Sequence, residues 1–105
     1  MYFLFEVRIK PGCRAEQYAD AWVEASRIIQ QAEGARGTRL HRKIDDPGVL
    51  LAIARWDSKR QRDAMEADAE PRIKAIIGRA AQYCEIRVIG EFEEAEWCVD
   101  PGASA

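Results

Sequence analysis

The segment Val-Leu-Leu-Ala-Ile-Ala at residues 49–54 is apolar at every position. Successive side chains of a β-strand point to opposite faces, so a strand with this sequence has two apolar faces. Such a strand is stable when both of its faces are covered. The helices of a chain of 105 residues can cover one face of a four-stranded sheet. We therefore expect a second copy of the chain to cover the other face.

The residues before this segment predict a hairpin. Asp-Asp-Pro-Gly at residues 45–48 is a turn sequence, and residues 38–44 form the strand that precedes it. That strand carries three basic residues, which are Arg39, Arg42 and Lys43. A polar strand of this kind is typical of a sheet edge, because charges discourage further pairing.

The N-terminal third of the chain predicts a strand and a long helix. Residues 2–9 alternate, which places Phe3, Phe5, Val7 and Ile9 on one face, and Pro11 with Gly12 ends the strand. In residues 14–32 the apolar side chains recur at the spacing of one helix face. They include Tyr18, Ala21, Trp22, Ala25, Ile28 and Ile29. Glycine at position 34 then ends the helix.

The C-terminal half predicts two short helices and a last strand. Ser58 has a glutamine three residues later, which is the spacing of a capping box. Pro71 begins a second helical stripe, and residues 83–92 alternate as a strand. The order βαββαβ predicts an α+β, ferredoxin-like fold with a four-stranded antiparallel sheet and central first and third strands. We expect this domain to span residues 1–92 and an acidic tail to span residues 93–105.

Composition and charge exclude several classes of protein. The net charge is −2, so the chain lacks the basic surplus that neutralises nucleic-acid phosphates, and no nucleic-acid partner is expected. The sequence has no apolar run long enough for a membrane span and no signal peptide, which predicts a cytoplasmic protein with no membrane partner. Three scattered cysteines, Cys13, Cys84 and Cys98, predict reduced thiols and no metal site.

Four features along the chain resemble one family. They are an aromatic first strand ending in Pro11-Gly12, a long helix closed by Glu33-Gly34, a hairpin with Asp45-Asp46-Pro47, and an apolar strand ending in Arg55-Trp56-Asp57-Ser58. Over about residues 2–92, these features resemble the antibiotic biosynthesis monooxygenase family of the dimeric α+β barrel superfamily. The resemblance implies a homodimer whose two sheets pack face to face. It also implies a pocket within each subunit, between the sheet and the helices.

The same resemblance implies a chemistry. Family members that oxidise polyketide aromatic rings need no metal or flavin cofactor, because a deprotonated ring is electron-rich enough to react directly with dioxygen. The protein then orients the substrate and stabilises an anion in a dry cavity. Trp56 matches a tryptophan that lines the pocket of these members. Ala52 stands in place of a pocket asparagine, and Arg62 in place of a pocket tyrosine.

A second branch of the family degrades haem with an asparagine, a tryptophan and an axial histidine. Phe5, Met65 and Ala75 stand at those three positions in this chain. Haem iron requires an axial ligand. The one histidine of the chain lies on the second predicted strand, so no haem cofactor is expected.

The helix-facing side of the predicted sheet holds the candidate site. We predict that a small-molecule ligand binds to Phe3, Phe5, Trp22, Ala52, Trp56 and Met65. The alternative is that the same side chains fill a solid core. Trp56 and His41 are the candidate catalytic residues. Core packing is the alternative role for Trp56, and a solvated surface position is the alternative for His41.

The opposite face of the predicted sheet holds the candidate dimer interface. The side chains that point to it are Leu4, Glu6, Leu51, Ile53 and Arg55. Charged groups in an interface need partners. We therefore expect Arg55 to pair with Glu6.

Three hypotheses about function follow. The first is a monooxygenase without a cofactor that acts on a small apolar or aromatic molecule. The second is a non-catalytic binding or sensing protein on the same dimeric scaffold, and the third is an accessory domain for a neighbouring enzyme. A closed cavity of about a few hundred Å³ beside Trp56, with a polar group inside, would favour the enzyme. A solid core there would contradict both hypotheses that use a pocket and would leave a structural role.

Overall fold

The computed structural model describes residues 1–102 of the chain. The elements are β1 (Tyr2–Ile9), α1 (Ala15–Ile29), β2 (Ala35–Arg42), β3 (Val49–Trp56), α2 (Lys59–Ala67), α3 (Pro71–Ala80) and β4 (Cys84–Phe92). Within residues 1–102, no helix combines the length and the apolar composition that a membrane crossing requires. The last three residues of the predicted tail lie outside the described residues. The division of the chain at residue 92 stays a prediction.

The four strands form one antiparallel sheet in the order β2-β3-β1-β4. The two most apolar strands, β1 and β3, occupy the centre, and the basic strand β2 lies at an edge. Phe5 is paired with Ala52, and Leu4 is paired with Ile53, so each face continues across both central strands. The predicted α+β, ferredoxin-like arrangement is confirmed.

Two elements differ in length from their predicted bounds. Helix α1 ends at Ile29, because the N–H groups of Gln31 and Ala32 donate to carbonyls only three residues back. Strand β2 begins at Ala35 rather than at residue 38. A register irregularity between Ala35 and Thr38 accommodates Gly37, whose φ of +97° would be strained for another residue.

The helices lie on one face of the sheet and build the core there. Val7, which is 0% exposed, lies at the centre of that face. It belongs to one buried cluster with Tyr18 of α1, Leu50 of β3 and Cys84 of β4. Helix α1 also packs against α3, so the core joins the two longest helices to the central strands.

The other face of the sheet carries a half-buried apolar patch in this single chain. The patch, called the open-face patch below, consists of Leu4, Leu51 and Ile53. Glu6 lies beside it, where Arg87 donates a hydrogen bond to its carboxylate at 2.9 Å and Arg8 contacts it at 2.7 Å. The hydrogen bond from Arg87 holds the pKa of Glu6 below its usual range.

Within the single chain, Arg55 and Glu6 do not form the predicted pair, and a pair across the interface of two chains stays a prediction. Glu6 is opposite Leu51 in the sheet, and Arg55 lies four residues further along β3. This separation is about 13 Å along a strand, which is beyond the reach of an ion pair. Arg55 instead contacts Glu94 in the C-terminal segment at 3.2 Å.

Candidate functional site

A cavity of about 440 Å³ lies between the helices and the sheet. Each of the seven strands and helices contributes at least one side chain to its wall. The wall is mainly apolar, and its aromatic members are Phe3, Phe5, Tyr18, Trp22 and Trp56. A volume of this size falls within the range of small-ligand pockets.

The cavity exists because the second helix packs loosely over the sheet. No residue of α2 is buried, whereas α1 and α3 each bury three residues. Small side chains enlarge the space, among them Ala21, Ala25, Ala54 and Ala69. On β4, Ile86 and Val88 line the cavity but remain 50% and 60% exposed. Strand β4 therefore forms the open side of the cavity.

The junction Trp56-Asp57-Ser58 places α2 beside the cavity. The backbone of Trp56 donates to the Met1 carbonyl at 2.9 Å and accepts from the Met1 amine at 3.0 Å. These bonds hold the Trp56 indole, which is 2% exposed, in the cavity wall. Ser58 Oγ accepts a hydrogen bond from the Gln61 N–H at 3.2 Å and so begins α2. The Ser58 hydroxyl also donates a hydrogen bond to Gln61 Oε1 at 3.0 Å. The Gln61 side chain therefore bonds to the Ser58 side chain and not to the Ser58 backbone N–H, so the predicted capping box is incomplete.

Asp57 ties this junction to the start of β2. Arg36 donates to its two carboxylate oxygens at 2.8 and 2.7 Å, and this hydrogen bonding holds the pKa of Asp57 below its usual range. The Asp57 N–H donates to the Gly34 carbonyl at 2.8 Å. Gly34 has a φ of +88°, and a Cβ at this position would lie 2.4 Å from Gln61 Oε1. Helix α2 therefore approaches this loop as closely as glycine allows.

Arg62 brings a positive charge to the apolar wall. Its side chain is 15% exposed, and its guanidinium carbon lies 3.9 Å from the centroid of the Phe3 ring. This is a cation–π contact. Nη1 of Arg62 also contacts Glu66, one helical turn further on, at 2.9 Å. Helix α2 thus supplies a cation, an acceptor and Met65 to the same cavity.

Tyr18 of α1 is a further polar residue of the cavity wall. The residue is 4% exposed and lines the cavity next to Cys84. Burial, with a smaller effect of Cys84, raises the pKa of Tyr18 well above its usual range. The phenol is therefore neutral near pH 7 and can donate a hydrogen bond to a ligand.

Five of the predicted ligand-binding residues line the same cavity. They are Phe3, Phe5, Trp22, Trp56 and Met65. Ala52 is 1% exposed and lies between Phe5 and Leu40 in the sheet, and the cavity wall on β3 uses Ala54 instead. His41 is paired with Leu51, so its side chain is exposed on the face opposite the cavity. The binding and catalytic roles of these residues stay predictions.

The predicted ligand-binding residues did not include Tyr18 and Arg62, although both line the cavity. The signal for Tyr18 was its position on the apolar stripe of α1, which indicates burial but not a cavity wall. The signal for Arg62 was the resemblance, which places it where other family members have a pocket tyrosine. Within residues 1–102, no three His, Cys, Asp or Glu side chains form a group that could hold a metal ion.

Several solved structures share this fold. An Asn-to-Ala variant of SnoaB, a cofactor-independent oxygenase from Streptomyces nogalater, has a TM-score of 0.76 at 13% identity, covering 90% of this chain and 92% of that chain. A Bacteroides thetaiotaomicron protein described as a possible oxidoreductase has a TM-score of 0.70 at 16% identity, with coverages of 83% and 89%. Rv0793 from Mycobacterium tuberculosis has a TM-score of 0.65 at 17% identity, with coverages of 90% and 97%. At these identities the likeness shows the fold alone.

The family is shown by the sequence. No curated protein sequence matches the chain significantly. The family model named Antibiotic biosynthesis monooxygenase matches residues 1–71, which run from β1 to the first residue of α3. This match covers about two thirds of the 105 residues. The chain belongs to the antibiotic biosynthesis monooxygenase family.

Proposed function

We propose that this protein is a monooxygenase that uses no metal or flavin and oxidises a small apolar or aromatic molecule in the cavity beside Trp56. The observation that carries the proposal is the cavity itself. It has a volume of about 440 Å³ and mainly apolar walls, and the polar residues in its wall include the cation Arg62 and the un-ionised Tyr18. Membership of the family supports the same reaction class.

The reaction would proceed on a substrate that carries an acidic CH₂ group in an aromatic framework. Loss of a proton leaves a carbanion, which transfers electrons to dioxygen and forms a C–O bond. The resulting hydroperoxide loses water and becomes a carbonyl, so one oxygen atom enters the product and the other leaves in water. The chain would hold the ring flat between aromatic walls and exclude bulk water from the carbanion.

The walls of the cavity suit a planar ring. Phe3 and Phe5 lie on the sheet with their ring centroids 5.8 Å apart, and Trp56 adds a third aromatic surface from β3. Aromatic groups of this kind bind flat ligands through offset stacking and edge contacts. Ile86 and Val88 on β4 leave one side open, which provides a route for substrate entry.

A non-catalytic binding or sensing protein is the second candidate function. The observation that favours it concerns the base that proton removal requires within hydrogen-bond reach of the substrate. Glu66, a carboxylate that lines the cavity, is 63% exposed and already contacts Arg62 at 2.9 Å. Ala52 occupies the position of the pocket asparagine that the resemblance implies, and His41 lies on the other face of the sheet. The same cavity would then hold a ligand without converting it.

A homodimer formed through the open faces of two sheets is part of the proposal. Its support is the open-face patch, whose three apolar side chains are half-buried in a single chain. A stable interface typically buries about 800 Å² on each partner, and an exposed sheet face can supply that area. Glu6 and Arg87 would enter the interface already paired with each other.

Anthrone is a suitable probe, because its CH₂ group is acidic and its oxidation gives anthraquinone and water. We expect the protein to accelerate oxygen uptake and quinone formation, with one atom of labelled dioxygen in the quinone. Trp56→Leu should slow the reaction at least roughly tenfold, because the anthrone ring loses an aromatic surface that orients it in the cavity. Trp97→Leu is the matched control, because Trp97 is 86% exposed in the tail.

Three outcomes separate the hypotheses. Oxidation that Trp56→Leu impairs and Trp97→Leu does not would support the monooxygenase. Calorimetric binding of anthrone without oxygen uptake would support the non-catalytic alternative. Absence of both binding and oxidation would contradict the two functions that use the cavity and would leave an accessory role.

A further inference from the structure

We infer that Arg62 makes the cavity selective for aromatic anions, such as ring carboxylates and phenolates, over neutral molecules of the same shape. This inference rests on the proposed function, because it assumes that the cavity holds the ligand. It adds to the proposed function the charge of the ligand and the residue that recognises this charge.

The first observation is the position of the guanidinium group. Ser58 caps helix α2, and Arg62 lies in the first turn of the helix, on the side that faces Phe3. The side chain is 15% exposed, and the guanidinium carbon lies 3.9 Å from the Phe3 ring centroid. Both residues line the cavity, so the charge is at the cavity wall and not in bulk water.

The second observation is that Arg62 has hydrogen-bonding capacity left for a ligand. Within residues 1–102 its acidic partners are Glu66 at 2.9 Å and Asp63 at 3.7 Å, and Nη1 makes both contacts. A guanidinium group has five N–H donors arranged as a planar fork. The remaining donors match the two oxygens of a carboxylate or the single oxygen of a phenolate.

The third observation is that Glu66 does not cancel the charge inside the cavity. Its side chain is 63% exposed, whereas that of Arg62 is 15% exposed. Water screens an exposed carboxylate strongly, and it screens a buried guanidinium much less. A ligand anion in the cavity would therefore experience Arg62 more strongly than Glu66.

The rest of the cavity wall does not oppose the same preference. Tyr18 of α1 also lines the cavity, and its un-ionised phenol adds no negative charge there. The remaining wall is mainly apolar and offers a neutral or cationic head group little compensation for lost hydration. An aromatic ring with one anionic oxygen group therefore matches both the apolar walls and the guanidinium donors of Arg62.

The test compares two ligands that differ in charge and little in shape. They are 2-naphthoate and 2-naphthalenemethanol, with affinities measured by calorimetry near pH 7. Wild-type protein should bind the naphthoate roughly ten- to hundredfold more tightly than the alcohol, as charge-assisted hydrogen bonds do. Arg62→Met should abolish this ratio, and Arg62→Lys should retain part of it. Arg60→Met is the matched control, because Arg60 is an exposed arginine on the same helix and does not line the cavity.

The ratio of the two affinities distinguishes recognition from a merely structural role. If Arg62 only supported α2, its replacement would weaken both ligands equally and leave the ratio unchanged, which would overturn the inference. Equal affinities in the wild type would also overturn it while leaving the cavity as a binding site. Failure of the wild type to bind either ligand would contradict the proposed function together with the inference. If Arg62→Met fails to fold, the affinity ratio for Arg62→Lys decides the outcome, because lysine keeps the charge but lacks the planar set of donors. A ratio lower than that of the wild type would support the inference, and an unchanged ratio would overturn it.

Discussion

Alanine at Gly34 should destabilise the fold more than alanine at Gly12. The two glycines have similar backbone angles, with φ of +88° and +82°, where a Cβ costs about 1–2 kcal/mol. At Gly12 no atom of residues 1–102 lies within 4 Å of the added Cβ. At Gly34 the Cβ would lie 2.4 Å from Oε1 and 2.9 Å from Cβ of Gln61. Overpacking of this kind costs about a further 1–3 kcal/mol. The free energy of unfolding should therefore fall by about 1–2 kcal/mol for Gly12→Ala and by about 2–5 kcal/mol for Gly34→Ala.

Urea unfolding, followed by circular dichroism and tryptophan fluorescence, measures both values. A double-mutant cycle with Gln61→Ala tests the cause. This change removes the Oε1 and Cδ contacts at 2.4 and 2.6 Å but keeps the Cβ contact at 2.9 Å. Because the amide end of Gln61 is flexible and its Cβ is not, this change should recover only part of the additional loss at Gly34. If Gly34→Ala costs no more than Gly12→Ala, α2 does not pack closely on this loop.

Two further predictions concern the dimer and the Arg36–Asp57 pair. Ile53→Glu should convert a dimer into a monomer in sedimentation at micromolar concentration, and Ile44→Glu, at a fully exposed position in the hairpin, should leave the dimer intact. A wild-type monomer would refute the proposed interface. Because Arg36 lowers the pKa of folded Asp57, the pair stabilises the fold above about pH 4, and this contribution is lost as the pH falls through the lowered pKa. The difference in unfolding free energy between wild type and Asp57→Asn should therefore shrink towards about pH 2.5, and a constant difference would contradict this reasoning.

The order of the elements could be predicted because the relevant signals are local. Alternation in residues 2–9, the helical stripe around Trp22 and the proline-glycine turn at residues 47–48 each act within a few positions of the chain. The central positions of β1 and β3 followed from their apolar composition, and the edge position of β2 followed from its charges. The start of β2 was less predictable, because the irregularity at Gly37 depends on pairing with β3.

Part of the candidate site could also be predicted. Phe3, Phe5 and Trp56 face the helices because of strand alternation, and Trp22 faces the sheet because of helix periodicity. Periodicity predicts the face of the sheet on which a side chain lies but not whether that side chain reaches the cavity. It therefore could not decide between Ala52 and Ala54 as the cavity wall. The cytoplasmic location and the absence of a nucleic-acid partner stay predictions from composition.

Local sequence patterns were enough to predict the α+β class, the strand order and the two apolar faces of the central strand at residues 49–54. These features depend on the repeat of apolar side chains and on turn residues, which are properties of neighbouring positions. The tertiary structure alone decided that α2 stands away from the sheet, that Arg62 lies over Phe3 and that Arg55 contacts Glu94. Those contacts join residues 39 or more positions apart, so they depend on how helices and strands pack in space and not on any local pattern.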